Sequence, residues 1–162
     1  MTCPENEAML PAKHILVPMD WSEPSHRAFH LADSLAREHD AQLTLLYVVP
    51  LPALMYGPPP ESYLNHLYEE LCRLRPSDPK VRVRHLVAEG APVATILNVA
   101  RESGCDLIVM GTHGRRGLNR LLRGSVAEEV VRRAPCLVLT VRAGVPARLT
   151  GEGEALQEMG IR

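Results

Sequence analysis

The 162 residues suffice for one domain with a full hydrophobic core. Apolar residues make up 46% and aromatics only 4%, so the core must be aliphatic, and stacked aromatic platforms for single-stranded nucleic acid are disfavoured. The formal net charge of -1 gives no global basic field for nucleic acid, and no apolar run approaches the ~20 residues of a membrane span.

The chain then reads as alternating strands and helices. His14 to Asp20 (HILVPMD) is a short apolar run that reads as a buried strand. Ser22-Glu23-Pro24 supplies a helix start, and Ala28, Leu31, Ala32, Leu35 and Ala36 follow at helical spacing, which predicts a helix to about Glu38. Gln42 to Val49 is the second strand, and the prolines and glycine from Pro50 to Pro60 forbid regular structure after it. Tyr63, Leu64, Leu67, Leu71 and Leu74 predict a helix ending before Pro76. Val81 to Val87 alternates apolar and polar residues, as a half-exposed edge strand does. Gly90-Ala91-Pro92 opens a third helix with Gly104 at its end, Asp106 to Met110 is the fourth strand, Gly124 to Arg133 the fourth helix, and Cys136 to Val141 the fifth strand. This βαβαβαβαβ order predicts an α/β fold, a doubly wound parallel sheet with helices on both faces. Ligands of such sheets bind beyond the carboxyl ends of the strands, where the strand order reverses. The expected division is an extension over 1–12, a domain over 13–142 and a tail over 143–162.

The four cysteines, at 3, 72, 105 and 136, form no C-x-x-C pair and no zinc spacing. Cys105 and Cys136 read as small core residues. The polar, acidic N-terminus lacks the basic and apolar regions of a signal peptide, so the expected setting is a reduced cytoplasm.

The most informative stretch is Gly111 to Ser125, GTHGRRGLNRLLRGS. A buried strand leads into it and a helix leads out. Gly111 and Gly114 permit close backbone approach to an anion, while Gly124 and Ser125 open a helix whose free N–H groups and dipole favour phosphate. The same composition also suits a solvated basic loop. The pattern is neither G-x-G-x-x-G nor a Walker loop, and no lysine is present to clamp a phosphate. Asp20, at the end of the first strand, could bind a ribose hydroxyl or hold Mg²⁺, but Asp-x-Ser is also ordinary turn chemistry. His113, between the loop glycines, could act as acid or base beside a phosphate, but nothing pairs with it in sequence, which favours positioning through its backbone. Arg115, Arg116, Arg120 and Arg123 could pair with phosphates, although they exceed what one nucleotide needs. His26 and His30 have a metal spacing on the first helix, with no third ligand in view.

These residues together resemble the universal stress protein family from about Lys13 to Arg142. Its signature G-x2-G-x9-G-(S/T) is met by Gly111, Gly114, Gly124 and Ser125, and Ile15 to Ser22 resembles its first strand and loop. The resemblance implies a five-stranded parallel sheet of order 3-2-1-4-5, similar to adenine nucleotide α-hydrolase-like domains, and binding of ATP with or without Mg²⁺. It would place adenine near Pro18, Asp20 and Val48, with Asp20 beside the ribose or the metal. Met19 stands where the family often has a smaller residue. Met110 and Gly111 would lie against the nucleotide, and Gly114, Gly124, Ser125 and Val126 would cradle the phosphates. The resemblance also implies a homodimer joined through strand 136–141.

Three functions fit this reading: a regulatory module that binds ATP in the stress response, with an unidentified protein partner; a slow Mg²⁺-dependent ATPase or nucleotidyl-transfer enzyme; and an interaction protein independent of ATP. The absence of an evident general base or activated nucleophile favours the first.

Overall fold

A computed structural model describes residues 12–50, 59–112 and 125–142. These form β1 (His14–Met19), α1 (Glu23–His39), β2 (Gln42–Pro50), α2 (Glu61–Cys72), β3 (Val83–Gly90), α3 (Pro92–Glu102), β4 (Leu107–Gly111), α4 (Ser125–Arg133) and β5 (Leu137–Val141). All neighbouring strands run parallel, and the order is β3-β2-β1-β4-β5, as the resemblance implied.

Side chains alternate between two cores, because successive residues of a strand face opposite sides. Ile15, Val17 and Met19 join Leu43, Leu45 and Val109 under Ala28, Phe29, Ala32 and Ala36 of α1 and Leu71 of α2. Leu16, Leu46, Ile108 and Met110 pack on the other face against Ile96, Leu97 and Ala100 of α3 and Ala127 and Val130 of α4.

Helix limits follow local chemistry. Ser22 caps α1, its hydroxyl accepting from Ser25 N at 3.3 Å. The helix runs to His39 because Asp40 adopts a left-handed conformation (φ 51°) and returns its N–H to Ala36 O. Gly104, at φ 63°, follows the end of α3 as its sequence position suggested. β3 differs from expectation: it begins at Val83 and reaches Gly90. Val81 instead closes a turn by donating to Asp78 O at 3.1 Å, and the longer pairing follows from β2, whose Pro50 stands opposite Gly90.

Candidate functional site

β1 and β4 are held tightly at one end and part at the other. At their N-terminal ends, Asp106 accepts from Lys13 N at 2.9 Å and from His14 N at 3.3 Å, and Asp106 N donates to His14 O. The His14 ring is fixed between Ser103 O and Thr44 Oγ1, at 2.9 and 2.8 Å. The β1–β4 register then runs through Ile15↔Leu107 and Leu16↔Ile108, whereas β1 and β2 stay paired to Met19↔Tyr47. Val17–Met19 and Val109–Gly111 therefore flank a parting between the two strands. This parting lies where the strand order reverses, the place where sheets of this kind receive ligands.

On one side the first turn of α1 closes against it. A Cβ built on Gly111 would come within 2.8 Å of Pro24 C and Ser25 N, so the strand end and the helix start touch through backbone. Glycine at this position thus serves helix–strand packing, a requirement separate from any ligand. Beyond it, Thr112 donates through N (2.9 Å) and Oγ1 (3.3 Å) to Val141 O, tying the exit of β4 to the end of β5.

Asp20 is exposed at the rim and organises the β1–α1 loop. Its Oδ1 accepts from Ser22 N at 3.0 Å and from Ser22 Oγ at 2.5 Å. Ser22 O in turn accepts from Ser25 Oγ at 2.9 Å. The turn chemistry read from the sequence is therefore present, and Oδ2 remains outside these bonds. Trp21, between Asp20 and Ser22, has φ 62°, a left-handed conformation uncommon for a bulky residue. Its ring lies 5.7 Å from that of Tyr47, opposite Met19 on β2, and 6.3 Å from that of His26 in the first turn of α1. Nothing in the sequence flagged Trp21, since a glycine would have signalled the left-handed position and a tryptophan does not.

The other expected residues divide between the two faces. Val48 and Met110 belong to the α3/α4 side, with Val48 half-buried and Met110 only 4% exposed; Pro18, half-buried, shares that face by alternation. Met19 points to the opposite side and is buried in the α1 core. Ser125 is the first residue of α4, and Val126 is half-buried against the α3/α4 core. His113, Gly114, Arg115 and Gly124 lie outside the described residues, as do Arg116, Arg120 and Arg123. His26 faces Trp21, and His30 lies beside Phe29 at 5.4 Å. Among the described residues no cluster of three or more His, Cys, Asp or Glu side chains is placed to hold a metal ion, and no helix is long and apolar enough to cross a membrane.

Residues 11–142 match the model of the universal stress protein family. A universal stress protein of Methanocaldococcus jannaschii is 35% identical over 141 residues, which cover 80% of this chain and 82% of that protein. The structure of universal stress protein UspA from Lactobacillus plantarum superposes with a TM-score of 0.60 at 28% identity, over 81% of this chain and 98% of its own. A universal stress protein in complex with cAMP shares the fold at 24% identity, with a TM-score of 0.62 over 82% of this chain and 98% of its own. The chain belongs to the universal stress protein family.

Proposed function

We propose that this protein binds an adenine nucleotide, with ATP as the cellular ligand, and acts as a cytoplasmic regulatory module of the stress response. The observation that carries this reading is the parting of β1 and β4 at the switch point, with α4 opening at Ser125 after the glycine-rich segment. The neighbour solved with cAMP supports the ligand class on the same fold. Adenine would sit toward Pro18 and Val48, with Met110 and Gly111 beneath the nucleotide and Met19 contributing through backbone. The phosphates would meet His113, Gly114, Arg115, Gly124, Ser125 and Val126.

Asp20 suits Mg²⁺ or a ribose hydroxyl: it is an exposed carboxylate at the rim, oriented through Oδ1 and with Oδ2 left to the ligand. A bound Mg²⁺ would screen phosphate charge. The commitment of Oδ1 to Ser22 favours a binding and positioning role over that of a general base, and so favours regulation over ATP hydrolysis.

The protein would act as a homodimer joined through the strand at 136–141. That strand is an edge of the sheet, and its Leu137 and Leu139 are 53% and 39% exposed.

Titration of ligand-free protein with ATP and Mg²⁺ in a calorimeter tests the reading. Saturable heat is expected, and Gly114→Val should weaken binding at least about a hundredfold by blocking phosphate approach while the fold persists by circular dichroism. No heat with the parent protein refutes nucleotide binding, and unchanged binding by Gly114→Val refutes the phosphate placement. Multiple-turnover ADP release abolished by Asp20→Ala would assign an enzyme instead.

A further inference from the structure

Cys105 and Cys136 are 31 positions apart in sequence, yet each stands just before one of two neighbouring parallel strands. Leu107 pairs with Leu137, so Cys136 is level with Asp106 and one residue from Cys105 across the ladder. Their Sγ atoms are 3.6 Å apart. Cys105 is 7% exposed, and its Sγ also meets Leu107 O at 3.4 Å; Cys136 is half-buried. Neighbouring strands run ~4.8 Å apart and residues along a strand ~3.3 Å, so a one-residue offset gives ~6 Å between Cα atoms, within the ~4.4–6.8 Å that a disulfide spans. Modest rotation about the two Cα–Cβ bonds would bring the sulfurs together.

We propose that Cys105 and Cys136 form a dithiol that hydrogen peroxide converts into a reversible intrachain disulfide. Cys136, the more accessible sulfur, attacks peroxide as the thiolate: an S–O bond forms, the O–O bond breaks, and hydroxide leaves and takes up a proton. Cys105 then attacks the sulfur of the Cys136 sulfenic acid: the S–S bond forms, the S–O bond breaks, and the departing hydroxyl leaves as water with the Cys105 proton. Two thiols and one peroxide give one disulfide and two waters, with two electrons passing from the sulfurs to the peroxide.

Burial pushes the Cys105 thiol up to about 12, with Cys136 beside it adding to the rise. Burial also raises the Cys136 thiol; the hydrogen bond from Cys105 opposes that rise and Asp106 adds to it. Both shifts are upward, so both sulfurs stay protonated at neutral pH. The pair reacts slowly and answers sustained peroxide rather than a brief pulse. The bond would close a covalent ring around residues 106–135, which hold β4, the glycine-rich segment and α4. It would form at the strand ends opposite the parting of β1 and β4, and so would leave the proposed nucleotide site open.

The test is to incubate the full chain with excess hydrogen peroxide, alkylate it under denaturing conditions and map its peptides without reductant. Expected is a peptide pair joined through Cys105 and Cys136, released by dithiothreitol and absent from Cys136→Ser. In Cys105→Ala, dimedone should capture a sulfenic acid on Cys136. Three outcomes overturn the proposal: both thiols alkylated after treatment, Cys136 driven to sulfinic acid with Cys105 still a thiol, or cross-links confined to Cys3 and Cys72. No readout depends on nucleotide, so this proposal and the proposed nucleotide binding fail separately.

Discussion

Gly111 leaves no room for a methyl group, because any Cβ would lie 2.8 Å from the backbone of Pro24 and Ser25. Neither neighbour is a flexible side-chain tip that could swing away; both belong to the capped first turn of α1. Gly111→Ala should therefore destabilise the fold by about 1–3 kcal/mol, the usual cost of overpacking, measurable by urea denaturation. Wild-type stability in this variant would mean that α1 can slide away from β4. The sequence showed a glycine before a glycine-rich segment and suggested an anion, but the demand for close packing came from a helix some 87 positions earlier, beyond the reach of any local pattern.

Elements were the most legible level. The helical spacing of Ala28, Ala32 and Ala36 and the apolar run of β1 report burial directly, and both elements occur where those patterns place them. The start of α1 was legible as well, from Ser22 and Pro24, although the sequence did not show how much rests on that cap. Ser22 joins Asp20 to Ser25 through three hydrogen bonds of its side chain and backbone N–H. Ser22→Ala should cost about 1–2 kcal/mol by removing the cap and freeing Asp20, read as a lower midpoint in denaturant. A midpoint within error of wild type would show that water replaces the hydroxyl at no cost. β3 was less legible, because its limits are set by β2: alternation in its own sequence stops near Val87, while its pairing continues to Gly90. The two cysteines were least legible, since only the adjacency of β4 and β5 brings them together.

For the whole molecule, the two edges of the sheet differ. β3 lies beside α2, whereas β5 exposes Leu137 and Leu139 on the face that α1 covers only as far as Val141. Exposed apolar residues on an edge strand invite pairing with another chain, which supports the dimer that the family resemblance implied. Leu139→Lys should raise the dimer dissociation constant about tenfold or more, measured by sedimentation equilibrium. Retention of the dimer would move the interface elsewhere. The place of the candidate site rests on strand order, which βα alternation leaves open; the resemblance implied the order that sets β1 beside β4, and the sheet has it. The facing of the site was not legible: only the packing shows that Met19 turns away from the side shared by Val48 and Met110.

Trp21 is the single tryptophan of the chain, and it sits on the loop that borders the parting of β1 and β4. Its indole lies near the Tyr47 phenol and the His26 imidazole, on either side of the loop that Asp20 shapes. All indole emission from this protein therefore originates at the rim of the proposed site. The protein carries its own optical probe there, and its colour and intensity can be followed without attaching a label.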